Sequence, residues 1–379
     1  MLLDAISDFM SWTKLVGNHN DDIIDRVNHI YTVIVLIIFS VVVTGGTYIG
    51  DSISCWLPHE ASGKKHFVET YCWTGSTYHV DEEDSLSSGE VTVIHYYLWV
   101  PIILLFQAFM FKFPNIIWEM ANKKSGMNLD KISTLSEKTQ LEPEENRLET
   151  IEHIGNYIER WITANKQKNK DIVSRFKPKP GTYLTTIFFV TKILYCINVI
   201  CQFFIVSSLM KINFAEYGLK VSSYAESTEV MMDPTVFPRV VYCDFPVRQM
   251  HNMLNLTTQC VLPINVLNEK VFMFLWFWFC LVSTLSIINL LHWIYRILSK
   301  RNYVDYIFRY INISEESLDK NSQKTCARFV NRFLNLDVVM LLRVVGKNST
   351  DMVVADLLGY LWAMYKKKSQ KEENKMIDA

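Results

Sequence analysis

Four cysteines stand two and two in polar stretches of the chain. Cys55 and Cys72 form one pair and Cys243 and Cys260 the other, with sixteen residues inside each pair. Thiols so arranged do one of two things: they oxidise to disulfides or they ligate a metal as thiolates. Structural zinc sites place ligands about two to four residues apart, so the long gaps favour disulfides in an oxidising compartment and leave no metal site. Four cysteines allow three pairings, and spacing alone keeps all three open. Cys196, Cys201, Cys280 and Cys326 lie in apolar or basic segments and read as free thiols. Asn255-Leu256-Thr257 is an acceptor sequon for N-glycosylation.

Catalytic constellations are missing from the sequence. It has no HExxH, no GxSxG and no glycine-rich phosphate loop. His29, His95 and His292 stand singly at or near the ends of apolar blocks, where a histidine is structural. The expected protein is no enzyme and carries no cofactor. Two other placements of charge have functional weight. Lys192 falls inside an apolar block; the expectation is that it snorkels to the headgroups, the alternative being packing against a neighbouring helix. Asp4 and Asp8, four apart, stack with Ser11 on one face of an amphipathic segment whose other face carries Leu2, Ile6, Phe9 and Val16.

The elements that hold these residues follow from how hydrophobicity is distributed. The 379 residues are 50% hydrophobic and 13% aromatic, with a formal charge of -1, a balance that argues against a nucleic-acid partner. The apolar residues gather in blocks of the length that crosses a bilayer, about 20 residues. Spans are expected over 29–50, 96–118, 182–210 and 271–297. The second begins with Tyr96, Tyr97 and Trp99, rings that prefer the interface, and has Pro101 in its first turn, where a missing N–H breaks no helical bond. Lys112 is expected to snorkel at its far end, with Trp118 as a second interfacial anchor.

Charge asymmetry orients the chain. The 119–181 loop holds 12 Lys and Arg and the chain from 296 onward 15, whereas the 51–93 stretch holds only Lys64 and Lys65 and the 211–270 loop five. The positive-inside rule puts both termini and the 119–181 loop in the cytoplasm, and loops 51–95 and 211–270 outside with the four paired cysteines. The 119–181 and 298–365 regions carry apolar residues at helical spacing, among them Ile151, Ile154, Trp161, Phe329, Leu341, Leu358 and Trp362. The end, 366–379, is polar and expected to be disordered.

Tyr96-Tyr97-Leu98-Trp99-Val100-Pro101 resembles the signature of the innexins, with Leu98 where most members have Gln. Cys55-Trp56, Tyr71-Cys72-Trp73, Phe237-Pro238-Arg239, Cys243-Asp244-Phe245 and Phe274-Leu275-Trp276-Phe277-Trp278 are similar to the same family at matching places, as is Ile49-Gly50-Asp51. The resemblance covers about residues 20 to 365. It implies an all-α membrane protein: a four-transmembrane-helix bundle per subunit, disulfide-linked extracellular loops with minor β structure, and a helical cytoplasmic domain. It implies the nested disulfides Cys55–Cys260 and Cys72–Cys243.

It further implies a subunit of a plasma-membrane gap junction channel, an octamer of innexin subunits that docks with a hemichannel of the adjacent cell and passes ions and small metabolites. A docking or modulatory subunit that conducts poorly alone is the alternative, and a polytopic membrane enzyme would need polar clusters that the spans lack. In such a ring, the N-terminal helix over 1–20 is expected to fold into the pore mouth and repeat Asp4 and Asp8 once per subunit, the alternative being a helix that lies on the inner membrane surface. Rings of carboxylates favour cations. The Asp4→Asn, Asp8→Asn double variant is expected to lower the cation-to-anion permeability ratio, measured as the reversal potential under a salt gradient. An unchanged ratio with normal expression would remove this helix from the selectivity mechanism.

Overall fold

The computed structural model describes residues 21–48, 52–57, 63–75, 77–79, 92–94, 96–168, 181–210, 213–224, 237–249, 252–314 and 320–377. The N-terminal segment with Asp4, Asp8 and Ser11 lies outside the described residues, as do His95 and Ile49-Gly50-Asp51.

Four helices are long and apolar enough to cross a membrane: Ile23–Tyr48, Val100–Ser125, Tyr183–Ser208 and Pro263–Leu298. All four expected spans are present, with shifted ends. The first starts six residues earlier than expected and contains a π-helical turn, Val27–Tyr31, that buries Asn28, His29 and Ile30. The second starts at Val100, after a 3-10 turn over Tyr96–Leu98, and continues past 118 to Ser125. The fourth starts at Pro263, not 271. Proline suits the first helical turn, and two polar residues of the first two turns find partners. Asn265 donates to the Pro238 carbonyl at 2.8 Å, and Glu269 pairs with Arg239 at 3.1 Å.

The chain forms two compact units. One comprises residues 31–112 and 197–284. It contains a five-stranded antiparallel sheet in the order β1-β5-β4-β2-β3, with β1 Ser54–Trp56, β2 Thr77–His79, β3 Thr92–Ile94, β4 Val240–Gln249 and β5 Asn252–Val261. β4 and β5 form a long hairpin whose register runs from Val240 opposite Val261 to Gln249 opposite Asn252. Pro246 is tolerated inside β4 because β2 reaches only Tyr242 and Cys243, so at Pro246 the strand is an edge. The core beside the sheet is aromatic. Phe237 stacks on Phe272 at 5.9 Å, and Phe214, Tyr217 and Tyr96 pack edge or face on these rings. Helix Phe214–Tyr224 approaches the fourth span at Gly218, where a Cβ would fall 1.9 Å from the Trp276 ring.

The other unit comprises residues 21–30, 113–196 and 285–377 of the described chain. Its core centres on helix Asn335–Asn348, in which every residue from Asp337 to Val345 is buried. A helix apolar all round must be surrounded, and its neighbours are Leu129–Lys138, Glu144–Lys168, Lys300–Ser314, Lys320–Phe329 and Asp351–Ile377. Asp337 accepts from the Thr185 N–H and hydroxyl, both at 2.8 Å, at the start of the third span. Burial raises the Asp337 carboxyl, and the Thr185 donors oppose that rise. Gly181, at φ +81, passes so close to Asn335 that a Cβ would lie 2.7 Å from its side chain.

The polar end departs from expectation. Helix Asp351–Ile377 continues through the stretch expected to be disordered from 366. Lys, Glu and Gln are good helix formers, and elongation from a turn already packed through Trp362 avoids the cost of nucleation. Lys368 also pairs with Glu159. Lys366 to Lys368 are exposed, as for a solvated helix end.

Two disulfides close loops of sequence separation 205 and 171, Cys55 to Cys260 and Cys72 to Cys243. Constraining the unfolded chain over such lengths stabilises by roughly 2–4 kcal/mol per bridge. A Cys72→Ala, Cys243→Ala double variant is expected to lose that margin, seen as a lower Tm of the solubilised protein. A Tm equal to that of the parent chain would show that the sheet holds without the bridge.

Candidate functional sites in the sheet and the helical unit

The sheet site is built by the disulfides. Cys55 on β1 lies directly opposite Cys260 on β5, and Cys72 joins helix Lys65–Thr74 to Cys243 on β4. The sulfurs of Cys55, Cys72 and Cys260 lie within 4.8 Å of one another, a grouping that as free thiolates would suit a metal. Each is committed to an S–S bond, so none is a thiolate ligand. The two bridges thus sit side by side and weld segments that flank three different spans into one buried knot.

The signature residues divide between inside and outside. Tyr97 is fully buried and donates its hydroxyl to the Trp73 carbonyl at 3.1 Å, with Thr77 at 3.4 Å. Burial raises both the Tyr96 and Tyr97 phenols, so both stay neutral donors. Val100 is buried, and the Pro101 carbonyl accepts from Ser40 of the first span at 3.0 Å. Trp99 faces outward, 59% exposed, and Leu98 is exposed beside it. The departure from Gln therefore changes surface, not core.

In the far half of the β4–β5 hairpin Phe245 on β4 is buried, but the opposing stretch of β5 is uncovered. On β5, residues 253 to 257 are all exposed, so both faces of the strand are open. They include Met253, Leu254 and Leu256, and Trp56 on β1 is 78% exposed. Asn255 is exposed opposite Pro246, while the hydroxyl of its sequon partner Thr257 is donated to Asp244 at 2.6 Å.

In the helical unit, the structure corrects the expectation for Lys192. It does not snorkel: the residue is 3% exposed, and its Nζ lies 2.6 Å from Asp25 and 3.5 Å from Asp22. Asp22 also receives Lys347 at 2.6 Å and the Trp293 indole N–H at 2.6 Å. His29 is buried against Asp21 at 2.9 Å and stacks on Tyr195. The two lysines lie over the Trp293 ring, at 5.7 and 4.6 Å from its centroid. A cavity of about 10 Å³, lined by Asp21, Asp25, Lys192 and Tyr195, leaves room for one water molecule. Burial alone would raise the Asp22 carboxyl, but Lys192 and Lys347 hold it at about 2. The sequence signal was present in Asp21-Asp22-Ile23-Ile24-Asp25, three carboxylates at the start of a span, but its partner lies 167 residues away. Lys112, which belongs to the sheet unit, is likewise buried, and in the helical unit Trp118 packs on Phe188 inside the core. Cys196, Cys201, Cys280 and Cys326 are free thiols.

A family model described as Innexin matches residues 21–365. The chain is similar to Innexin-19 of Caenorhabditis briggsae, 31% identical over 405 residues, which covers 96% of this chain and 90% of the relative. It is also similar to Innexin unc-9 of Caenorhabditis elegans, 30% identical, with 98% of each chain covered. Innexin-3 of Caenorhabditis elegans is 31% identical over 89% of this chain and 82% of its own length.

The charge cluster yields a test. Removing one member of a buried pair strands the other, at roughly 3–5 kcal/mol. Lys192→Met is expected to lower Tm and surface expression, and adding Asp25→Leu to recover much of both. Acid titration reads the same cluster. The Asp22 carboxyl is held below its ordinary 3.8, so its contribution of about 2 kcal/mol is complete above pH 3.8 and lost as pH falls through about 2. Asp22→Asn is expected to flatten that acid limb of an unfolding curve.

Proposed function

The chain belongs to the innexin family, and on that premise we propose that it is a subunit of a gap junction channel. Four spans in one subunit cannot enclose a wide aqueous lumen, so the channel is a ring of subunits, an octamer by family resemblance. The sheet unit is extracellular and the helical unit cytoplasmic. This follows the positive-inside asymmetry of the loops and the oxidised state of the sheet's four cysteines.

The observation that carries the docking part of this reading is the uncovered stretch of β5. A two-stranded ribbon is marginal by itself, and here Phe245 on β4 is buried while β5 is exposed from 253 to 257. Here the paired bridges fix its base, while Met253, Leu254 and Leu256 stay exposed at its far end. An exposed apolar group on a rigid support is the form of a contact surface, and a second copy of the same sheet across the cell gap is its partner. Ions and small metabolites then pass from cytoplasm to cytoplasm.

Dual voltage clamp of paired cells that express only this chain tests the proposal. Junctional conductance is expected, and Cys72→Ala with Cys243→Ala is expected to abolish it. Apposed membranes without conductance, at normal surface expression, would instead favour the docking subunit that conducts poorly alone.

A further inference from the structure

Among the described residues, Arg343 is a buried cation without an anion. The residue is 5% exposed, its guanidinium stacks 4.5 Å from the Tyr306 ring centroid, and its Nε has no hydrogen-bond partner. One Nη donates to the Asn302 carbonyl at 3.4 Å. No carboxylate lies within salt-bridge distance of Arg343 or Arg296 among the described residues. Arg296 lies near enough to add like-charge repulsion, and His292 feels Arg296, Lys347, Arg343 and Asp22 together. Burial first, and the Arg296 charge as well, push the Arg343 guanidinium below its ordinary value. The Asp22 carboxylate in this neighbourhood is already engaged by Lys347, Lys192 and Trp293. Buried charges are ordinarily paired, so this end of the fourth span has a surplus of positive charge that the described residues do not balance.

The surroundings indicate what balances it. His292 and Arg296 are one turn apart and stack on one side of the fourth span, which ends at Leu298. Leu291, Tyr295 and Leu298 are exposed and form an apolar stripe on the same helix. Planar guanidinium groups match phosphate oxygens, and basic pockets at the ends of spans bind lipid headgroups. We propose that Arg343, Arg296 and His292 bind the phosphate of an anionic lipid, whose acyl chain lies along Leu291, Tyr295 and Leu298. The phosphate supplies the counter-ion that Arg343 lacks, and the chain covers apolar surface that detergent or bulk lipid otherwise covers without specificity.

The test uses the full-length oligomer, purified in detergent and stripped of lipid. Dioctanoyl phosphatidic acid is the probe, dioctanoyl phosphatidylcholine the neutral control, and inorganic phosphate the soluble control. Binding is read as a saturable rise in Tm. Phosphatidic acid is expected to bind, and Arg296→Gln or Arg343→Lys to weaken it by roughly tenfold, the effect of one hydrogen bond to a charged group. Arg301→Gln, at a side chain 91% exposed, is expected to leave binding unchanged. Unaltered binding in Arg296→Gln, or equal loss in Arg301→Gln, would overturn the site. An equal response to inorganic phosphate would overturn the lipid as its source. Arg296 is only half-buried, so its variant decides even where an Arg343 variant does not fold.

Discussion

Hydrocarbon offers no partner to a bare peptide group, and the architecture of this chain follows from that. Each spanning segment satisfies its own backbone as a helix. Polar side chains in and beside the spans then seek one another or a carbonyl. In the helical unit they gather as Asp21, Asp22, Asp25, His29, Lys192 and Lys347. In the sheet unit they are Asn265, Glu269 and the hydroxyls of Ser40 and Tyr97, each bound to a carbonyl or a cation of the same unit. The π turn at Val27–Tyr31 belongs to this pattern. It rotates Asn28 and His29 inward, so that Asn28 reaches Ser286 at 2.9 Å and His29 reaches Asp21.

Much of this was legible in the sequence for a physical reason. Membrane spans are a property of composition over about 20 residues, so no tertiary information is needed to see them. Cysteine location was legible too, because oxidation state follows compartment. Pairing was not: it came only from resemblance to a family, since spacing left three choices. Lys192 was misjudged because its burial depends on carboxylates in another span, and a sequence window cannot hold both. The fourth span was placed too short because Asn265 and Glu269 look like loop until their partners, the Pro238 carbonyl and Arg239, are known. The tail was judged by polarity alone, although its residues are helix formers continuing a packed helix.

The two candidate regions use opposite means of fixing geometry. In the sheet, covalent bonds hold strands too short to be stable alone; β1, β2 and β3 have three residues each. In the helical unit, Coulomb attraction between buried charges does the same task for segments distant in sequence. The first is insensitive to protonation but sensitive to reductant, and the second the reverse.

Nesting of the bridges has a consequence for biosynthesis. Cys55 and Cys72 leave the ribosome early, yet their partners follow 205 and 171 residues later, beyond two further spans. For that interval the two early thiols have only each other as oxidation partners. Closing Cys55 on Cys72 at that stage would exclude both native bonds. The native pairing therefore requires that this early bond either does not form or is reversed by thiol exchange once Cys243 and Cys260 are present.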